Sequence, residues 1–338
     1  MDDFAKETPE TRAEVFRETA ARMNVTPAIA EKDFWVCWSL KRVFELGGDV
    51  PGLLFKGGTS LSKAYGAIRR FSEDIDLSLD RYDLGFDGDR DPAADLSGKQ
   101  RKALLEDLEA AAAAAVAGPV QTALAATMAA ALGDAADLSL DDDPQTLIFT
   151  YPKSLDDAPG SPAYIQPSVR LEFGARSDHL PFEDRPIISY AAEHFPDLFS
   201  APSVTVKTLA AERTFWEKAT ILHMLYHRDA DKPLALRMSR HYYDLVQLSR
   251  TEIRTRALGA LDLLKAVAEH KAVFFKAAWA RYDTAIPPTL RLAPNAPLRQ
   301  ALETDYQRMG EMLFDAPEAF TSLMDTLTEL EKEINASA

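Results

Sequence analysis

Apolar residues recur along the first 80 positions at spacings that alternate between helical and strand-like. The helical spacing runs from Thr26-Pro27, an N-cap followed by a proline suited to the first helical turn, to residue 46. A short apolar run at 53–55 predicts a buried strand, and the spacing over 61–68 predicts a short helix. Residues 74–80 alternate apolar and polar positions, which predicts a strand with its acidic side chains on one face. The local order is therefore strand, turn, helix, strand.

The middle of the chain mixes acidic loops with alanine-rich segments. Residues 83–95 are rich in Asp and Gly and predict a loop. The alanine-rich segments 100–117 and 120–132 predict two helices separated by Gly118-Pro119. Further strands are predicted at 146–151, 168–173 and 204–206, the first two paired as a hairpin across a proline-rich connection.

From residue 208 onward the pattern is helical throughout, with helices predicted at 209–226, 239–248, 251–270, 297–314 and 317–334. A chain of 338 residues is longer than one average domain, so we expect two. The first is expected at 1–207, with N-terminal helices and an acidic, alanine-rich insertion at about 83–145. The second is a helical domain at 208–338.

Composition places the chain among folded globular proteins, with 46% hydrophobic and 27% charged residues. The single cysteine, Cys37, excludes an intrachain disulfide, and the first residues lack the basic and apolar regions of a signal peptide. We therefore expect a cytoplasmic location. No apolar run reaches the roughly 20 residues that cross a bilayer, so we expect no membrane partner.

Net charge is −15, which argues against a nucleic-acid partner because an acidic surface repels phosphate. The charge is unevenly distributed, however. Residues 71–110 contain 12 acidic and 5 basic side chains, whereas residues 203–250 contain 5 acidic and 8 basic ones. A local basic surface therefore leaves an anionic ligand or the end of an RNA possible.

A glycine turn at Gly57-Gly58 is the first candidate binding element. Gly-Gly pairs usually mark ordinary turns, but this one follows an apolar strand and precedes Thr59, Ser60 and a helix carrying Lys63. Backbone N–H groups, hydroxyls and a cation are groups that bind phosphate. The run is neither a Walker A motif nor the G-x-G-x-x-G of dinucleotide-binding folds.

Carboxylates form the second candidate element. Asp74 and Asp76 are two residues apart in a predicted strand, so their side chains point to the same face. They are either a solvated strand face or a pair that shares a divalent cation. Glu172, between apolar neighbours in a later strand, is our candidate for the third carboxylate of a two-metal site. The alternative is a surface residue paired with Arg170.

Two further positions lie in predicted C-terminal helices. Lys218 is in the middle of an apolar helix face, where its charge costs desolvation unless it is paired. It is either a snorkelling side chain or a cation that reaches a triphosphate. Asp244 either pairs with Arg240 in its own helix or belongs to the active site. His223 and His227 lack the other ligands of a zinc site, so we expect them to be structural.

Four segments together carry a family resemblance. They are the Gly57-Gly58-Thr59 turn with its Lys63 helix, Arg70-Phe71-Ser72-Glu73-Asp74-Ile75-Asp76-Leu77, Glu212-Arg213-Thr214-Phe215-Trp216-Glu217-Lys218-Ala219, and His241-Tyr242-Tyr243-Asp244-Leu245. Their order and spacing resemble the AbiEii/AbiGii toxin family within the DNA polymerase beta-type nucleotidyltransferase superfamily. The resemblance covers about residues 53–250, except the insertion at 83–145.

The resemblance implies an α+β fold with an α/β core: a mixed-sheet, polymerase beta-like nucleotidyltransferase domain followed by an all-helical domain, with the active site in the cleft between them. It implies an enzyme dependent on Mg²⁺ or Mn²⁺ that transfers a nucleoside monophosphate from an NTP to an acceptor hydroxyl and releases pyrophosphate. Asp74, Asp76 and Glu172 would hold the metal, and Glu172 would also help to deprotonate the acceptor. Asp244 would orient Lys218. The implied phosphate ligands are Gly57, Gly58, Thr59, Ser60, Lys63, Arg70 and Lys218.

The same resemblance implies that the acceptor is the 3′ end of tRNA, that the outcome is a block of translation and growth, and that a separately encoded antitoxin is the partner. No DNA partner of the toxin itself is expected. A phosphate on Ser72 would crowd the metal site with like charge, which suggests a route to inhibition. Two alternatives remain: a nucleotidyltransferase that modifies a protein or a small molecule, and a non-catalytic nucleotide- or RNA-binding protein.

Overall fold

The computed structural model describes residues 1–155, 166–229 and 231–337. In these residues the chain forms a mixed seven-stranded sheet with the strand order β3-β4-β5-β2-β1-β7-β6. The strands are β1 (Leu53–Lys56), β2 (Ile75–Leu79), β3 (Asp137–Leu140), β4 (Thr146–Thr150), β5 (Ser168–Gly174), β6 (Phe182–Ile188) and β7 (Ser203–Leu209). A mixed sheet with a separate set of helices confirms the predicted α+β class.

The chain divides into two compact units. Unit 1 comprises Met1–Ala64 and Phe71–Thr208, and unit 2 comprises Tyr65–Arg70 and Leu209–Ala338. Unit 1 carries the sheet and the helices α1 (Asp2–Ala5), α2 (Pro9–Met23), α3 (Pro27–Phe44), α4 (Gly57–Lys63), α5 (Gly98–Ala115), α6 (Gln121–Leu132) and α7 (Tyr190–His194). Unit 2 carries α8 (Ala211–Tyr226), α9 (Ser239–Ser249), α10 (Glu252–Leu258), α11 (Leu261–Phe274), α12 (Ala296–Arg308) and α13 (Phe320–Asn335).

Strand β2 lies near the centre of the sheet and fixes the register around the candidate carboxylates. It pairs antiparallel with β1, where Lys56 lies opposite Asp76, and parallel with β5, where Asp76 lies beside Glu172. Strands β4 and β5 are antiparallel, so the predicted hairpin is confirmed. The part of its connection from 156 to 165 lies outside the described residues.

Helix α3 carries much of the aromatic core of unit 1. Trp35 and Trp38 contact each other edge to face at 5.6 Å, and Trp38 stacks on Phe149 of β4 at 5.4 Å. Phe34 of the same helix contacts Phe4 at 5.0 Å. Each buried aromatic side chain stabilises the fold by about 2–3 kcal/mol through the area it removes from water. These contacts fix α3 against the sheet that carries β2.

The predicted break at Gly118-Pro119 was wrong, because one helix continues from Gly98 to Ala135. A π-helical turn, Val116–Val120, contains the proline and joins α5 to α6. The altered hydrogen-bond pattern of a π turn accommodates a residue that has no N–H to donate. By length and composition alone this helix is long and apolar enough to cross a membrane, and 28% of its most apolar window is buried. That result differs from the expectation that no such run exists.

Other boundaries also differ from the prediction. The helix expected at 61–68 begins at Gly57 itself and ends at Lys63, and the helix expected at 251–270 is two helices, α10 and α11. Strand β7 is longer than the predicted 204–206. Strands β3 and β6 were not predicted. Strand β6 contains three charged residues and a proline, which an edge strand tolerates because one side of it is unpaired.

Candidate active site

The register of β2 and β5 brings two predicted carboxylates together in unit 1. Asp76 and Glu172 are neighbours in the parallel pair, and their side chains lie on the same face of the sheet because the flanking residues Ile75, Leu77 and Leu171 are buried on the other face. Asp74 lies directly before β2, two residues from Asp76. The pairing of β2 with β5 and the two-residue spacing of Asp74 and Asp76 therefore bring the three predicted carboxylates together on one face of the sheet.

Negative charge at this face is only partly compensated. Burial, followed by the neighbouring carboxylates of Glu172, Glu73 and Asp76, raises the pKa of Asp74 to about 6, and Lys32 opposes that rise. Burial accounts for the largest part of this shift, and the part due to the neighbouring carboxylates reflects repulsion between like charges. Glu172 is also bonded by Arg170 at 3.4 Å, so the alternative pairing considered for it is present.

The chemistry of this donor set fits a divalent cation that is shared with a substrate. Within the described residues, no three His, Cys, Asp or Glu side chains form a group that could hold a metal ion by themselves. Magnesium is typically bound by one or two carboxylates together with substrate phosphates, and it keeps several waters. Asp74 and Asp76 therefore fit a cation that binds together with a nucleotide.

Gly57 is packed directly against Asp76. Its φ is +79°, and a Cβ at this position would lie 1.8 Å from Oδ2 of Asp76 and 2.5 Å from its Cγ. Only glycine adopts this backbone conformation without strain, and only glycine leaves room for the carboxylate. The glycine turn therefore shapes the carboxylate site, a role that the sequence analysis did not foresee.

The two hydroxyls that follow the turn are bonded within the protein. Thr59 is buried, and its Oγ1 donates to the carbonyl oxygen of Asp74 at 2.5 Å and contacts Oγ of Ser72 at 3.0 Å. Ser60 is also buried and donates to the carbonyl oxygen of Gly57 at 2.9 Å. The bonds of Thr59 tie α4 to the segment that carries Asp74, whereas the bond of Ser60 lies within α4. A phosphate contact by either hydroxyl stays a prediction and would have to replace one of these bonds.

Lys63 forms a buried ion pair. Its Nζ lies 2.7 Å from Oδ1 of Asp33, with both side chains 4% exposed, and 3.7 Å from the centre of the Tyr190 ring. Burial opposes the charged ammonium, but the Asp33 carboxylate outweighs that effect and raises the pKa of Lys63. The charge of Lys63 is thus already matched inside unit 1, and its predicted contact with a phosphate would require this pair to open.

Unit 2 contains the second set of predicted residues, centred on Asp244. Arg70 donates to both carboxylate oxygens of Asp244, from Nε at 2.7 Å and from Nη2 at 2.9 Å, and Lys218 donates from Nζ at 2.8 Å. All three side chains are buried. Asp244 therefore links two cations that lie far apart in sequence, which is consistent with the predicted role of orienting Lys218.

The Asp244 cluster has excess positive charge. Burial alone would raise the pKa of Asp244, but Arg70 and Lys218 outweigh it and lower that pKa. Burial and the nearby Arg70 lower the pKa of Lys218, although Asp244 opposes them. Nδ1 of His241 lies 3.2 Å from Nζ of Lys218, and burial together with Lys218 lowers the pKa of this histidine. Two cations therefore share one carboxylate beside a neutral imidazole.

His223 has the structural role that was expected. Its Nδ1 accepts a hydrogen bond from the backbone N–H of Arg291 at 3.0 Å, and its Nε2 lies 3.0 Å from the carbonyl oxygen of Arg281. Both ring nitrogens are thus engaged with the backbone. Burial lowers the pKa of His223 to about 4, so the ring is neutral at pH 7.

Three residues that were not predicted from the sequence contact predicted site residues or their direct neighbours: Lys32, Asp33 and His241. Lys32 and Asp33 lie in a helix that is otherwise strongly apolar, and both are buried. Charged residues inside an apolar helical pattern signal that a buried partner is present. His241 lies three residues before Asp244, on the same helical face, and was noted only as part of a motif.

Comparison with known proteins places the chain in a family. Residues 38–328 match the family model described as nucleotidyl transferase AbiEii toxin, type IV TA system. No curated protein sequence matches the chain. Among solved structures, the chain is similar to MenT4, a nucleotidyltransferase toxin from Mycobacterium tuberculosis, at 17% identity over 96% of this chain and 97% of that one, with a TM-score of 0.45. It is also similar to JHP933 from Helicobacter pylori, at 15% identity over 91% of this chain and 97% of that one, with a TM-score of 0.34. Because the family model covers most of its length, the chain belongs to the AbiEii nucleotidyltransferase toxin family of type IV toxin–antitoxin systems.

Proposed function

We propose that this chain transfers a nucleoside monophosphate from an NTP to the 3′ end of tRNA, and that this reaction blocks translation and growth until a cognate antitoxin counters it. The observation that carries the catalytic part is the carboxylate face of unit 1. There Asp76 is held in register with Glu172, Asp74 lies two residues away, and Gly57 packs against Asp76. Membership of a nucleotidyltransferase toxin family supports the reaction class.

In this proposal Asp74 and Asp76 hold Mg²⁺ or Mn²⁺, with Glu172 beside them. When bound, such an ion neutralises charge on the reacting phosphate and lowers the pKa of the attacking hydroxyl. In this proposal Glu172 accepts the proton of the acceptor hydroxyl; its side chain is 42% exposed, and the residue is in register with Asp76. Gly57 keeps the space around Asp76 open, because any larger residue would push the carboxylate aside.

Within unit 2, Lys218 and Arg70 stay predicted phosphate ligands, and the Asp244 cluster that contains them carries positive charge. Lys218 and Arg70 share one carboxylate, so the cluster carries an excess cation that a phosphate would neutralise. Asp244 keeps both side chains in fixed positions. We do not assign a phosphate contact to Lys63, because Asp33 already matches its charge.

We infer tRNA as the acceptor from the family, and the net basic segment 203–250 is compatible with an RNA end despite the net charge of −15. The test incubates the purified chain with Mg²⁺, each α-labelled NTP in turn, and either total RNA or total protein. Label is expected in the tRNA fraction with one preferred NTP. Label in protein would instead support the alternative acceptor, and its absence from every pool would refute the transferase proposal.

Matched variants locate the reaction in the carboxylate face. The Asp76→Asn variant is expected to lose at least about a thousandfold in incorporation, because it removes a metal-binding charge that acts in the transition state. The Asp80→Asn variant is the control. Asp80 lies just beyond the same strand and accepts the Tyr82 N–H at 2.9 Å, so its loss should leave incorporation within about threefold of wild type. Equal activity in both variants would contradict the proposed site.

Growth provides a second measurement for the toxin part of the proposal. Expression of the wild-type chain is expected to arrest growth, and expression of Asp76→Asn is expected not to. Co-expression of the cognate antitoxin should restore growth without loss of the toxin protein. Arrest by the Asp76→Asn variant would show that toxicity is independent of nucleotide transfer.

A further inference from the structure

Three consecutive charged residues are buried in the middle of α3. Glu31, Lys32 and Asp33 are only 2%, 3% and 4% exposed. Burying a charge is costly unless it is paired and hydrogen-bonded. Each of the three has such a partner, and each partner lies in a different segment of unit 1. This helix therefore makes three polar attachments that an apolar core does not need.

Asp33 holds α4. Its Oδ1 pairs with Nζ of Lys63, the last residue of that helix, at 2.7 Å, and its Oδ2 accepts the backbone N–H of Tyr190 at 2.6 Å. At its other end α4 begins with Gly57, which packs against Asp76, and in between Thr59 bonds the carbonyl of Asp74. Asp33 thus fixes the helix that touches both candidate metal ligands.

Lys32 contacts the segment that carries Asp74. Its Nζ lies 3.0 Å from Oε2 of Glu73 and donates to the carbonyl oxygen of Gln166 at 3.0 Å. Glu73 is the residue directly before Asp74. Lys32 therefore restrains the chain at Asp74 from α3, while Thr59 restrains it from α4.

We propose that Lys32 and Asp33 are positioning residues of the nucleotide site, which set the relative placement of α4 and the Asp74–Asp76 segment through Lys63 and Glu73. The inference rests on the proposed function and extends it. In this proposal Lys63 anchors α4 inside unit 1. Lys32 and Asp33 are adjacent in α3, and together they position the Asp74–Asp76 segment and α4.

A purely structural role is the competing explanation, and Glu31 supplies its control. Glu31 lies in the same helix and is similarly buried, but its carboxylate accepts the backbone N–H of Ser154 at 2.6 Å, a residue that belongs neither to α4 nor to the Asp74–Asp76 segment. If buried charges of α3 serve only stability, then Glu31→Gln and Asp33→Asn should affect nucleotide handling alike. If Asp33 positions the site, only Asp33→Asn should.

The experiment measures binding of a non-hydrolysable NTP analogue to the full chain by calorimetry with Mg²⁺, together with KM and kcat for labelled NTP and the melting temperature of each variant. Asp33→Asn is expected to raise both the Kd of the analogue and the KM by about tenfold, because a misplaced binding segment weakens contacts that need exact geometry. Glu31→Gln is expected to stay within about twofold for both. Equal changes in the two variants at equal melting temperatures would overturn the proposal.

The Lys63→Met variant and the double variant Asp33→Asn/Lys63→Met separate anchoring from direct phosphate binding. If Lys63 only anchors α4, the double variant should bind the analogue no more weakly than the weaker single variant. A direct contact would make the losses add, to about a hundredfold, and would overturn the anchoring role of Lys63. If Asp33→Asn fails to fold, the double variant, which has no unpaired buried charge, is measured instead. Wild-type binding by a folded double variant would refute the role of Asp33.

Lys32 is tested by turnover. Lys32→Met is expected to lower kcat by about tenfold, and Lys32→Arg, which keeps the pair with Glu73, is expected to restore it to within about threefold. An unchanged kcat in Lys32→Met, or a loss that Lys32→Arg does not rescue, would remove Lys32 from the proposal. If the wild-type chain neither binds the analogue nor turns over any NTP, the proposed function itself fails. In every other outcome the wild-type chain is active, and the variants alone decide whether Lys32 and Asp33 position the site.

Discussion

Replacing Gly57 by alanine is expected to abolish nucleotide transfer while leaving the protein folded. Two costs follow from the structure. The first is the backbone conformation, since a φ of +79° costs a non-glycine residue about 1–2 kcal/mol. The second is the new methyl group, whose carbon would lie 1.8 Å from Oδ2, 2.5 Å from Cγ and 2.8 Å from Cβ of Asp76.

The second cost acts directly on the proposed metal ligand. A carbon and an oxygen without a bond between them stay more than about 3 Å apart, so the Asp76 carboxylate has to move by roughly 1 Å or more. Rotation of the carboxylate alone does not suffice, because the Cβ of Asp76 is also too close. A misplacement of about 1 Å in a reacting group costs on the order of a hundredfold in rate. We therefore expect Gly57→Ala to lose at least that much incorporation of labelled nucleotide.

Gly48→Ala is the matched control for this prediction. Its φ of +75° gives nearly the same backbone strain, but a Cβ there meets nothing within 4 Å. Gly48→Ala should therefore lose only the free energy of the backbone strain, and Gly57→Ala at least as much, both measured by urea denaturation, and only Gly57→Ala should lose activity. If Gly57→Ala incorporates nucleotide as well as Gly48→Ala does, the geometry of Asp76 is not important for the reaction and the reasoning is refuted.

Three further predictions follow from the buried and bonded groups. Asp244→Asn leaves Arg70 and Lys218 buried without a counter-charge, and it should lower the unfolding free energy by about 3–5 kcal/mol in urea; an unchanged value would contradict the ion-pair geometry. His223 has a pKa lowered to about 4, so the fold that keeps this ring neutral is most stable above about pH 6.5. As the pH falls from about 6.5 toward 4, the unfolding free energy should drop by up to about 3 kcal/mol, because the unfolded chain binds a proton that the folded chain excludes. A His223→Gln variant should show a flatter dependence of the unfolding free energy on pH. Ser72→Glu places a negative charge next to the carboxylates and should abolish incorporation, whereas Ser72→Ala should retain it and, if phosphorylation is the route of control, should escape the antitoxin in the growth assay.

Local patterns were sufficient to predict the elements that carry the carboxylate face. The alternation of Ile75, Leu77 and Leu79 with polar residues identified β2, because one buried face imposes a period of two. The apolar spacing of α3 and of the helices in unit 2 was equally readable. The break at Gly118-Pro119 was misjudged because a π turn removes the usual penalty of an internal proline, and nothing local distinguishes that turn from a helix end.

The partners of the site residues could not be predicted, because they depend on contacts between segments far apart in sequence. Sequence placed Asp76 and Glu172 in two strands, but only the pairing of β2 with β5 makes them neighbours. Lys63, a helical lysine after a glycine turn, is predicted to contact a phosphate, and that contact stays a prediction. Its partner Asp33 lies in another helix, and no local pattern connects them.

The same reasoning explains why hydroxyls and cations near a glycine turn are ambiguous in sequence. Thr59 donates into the protein, to the backbone of Asp74, so its side chain supports the carboxylate segment from within. Arg70 adjoins the Asp74 segment in sequence, but it belongs to unit 2 and binds Asp244. Residue type and spacing predict which groups belong to a site, while the direction in which each side chain points is decided by its tertiary neighbours.

Because like charges repel, the geometry of the candidate carboxylates depends on contacts with the surrounding helices. Asp74, Asp76 and Glu172 carry like charges; burial is the main cause that raises the pKa of Asp74, and the neighbouring carboxylates add to that rise. A segment under such repulsion keeps its geometry only if other contacts restrain it. Here the restraints come from α3 and α4, through the pairs of Lys32 with Glu73 and of Asp33 with Lys63. The carboxylate face therefore combines residues that create an acidic site with contacts from α3 and α4 that restrain it, and substitutions of the restraining residues should weaken nucleotide binding even though they remove no proposed ligand.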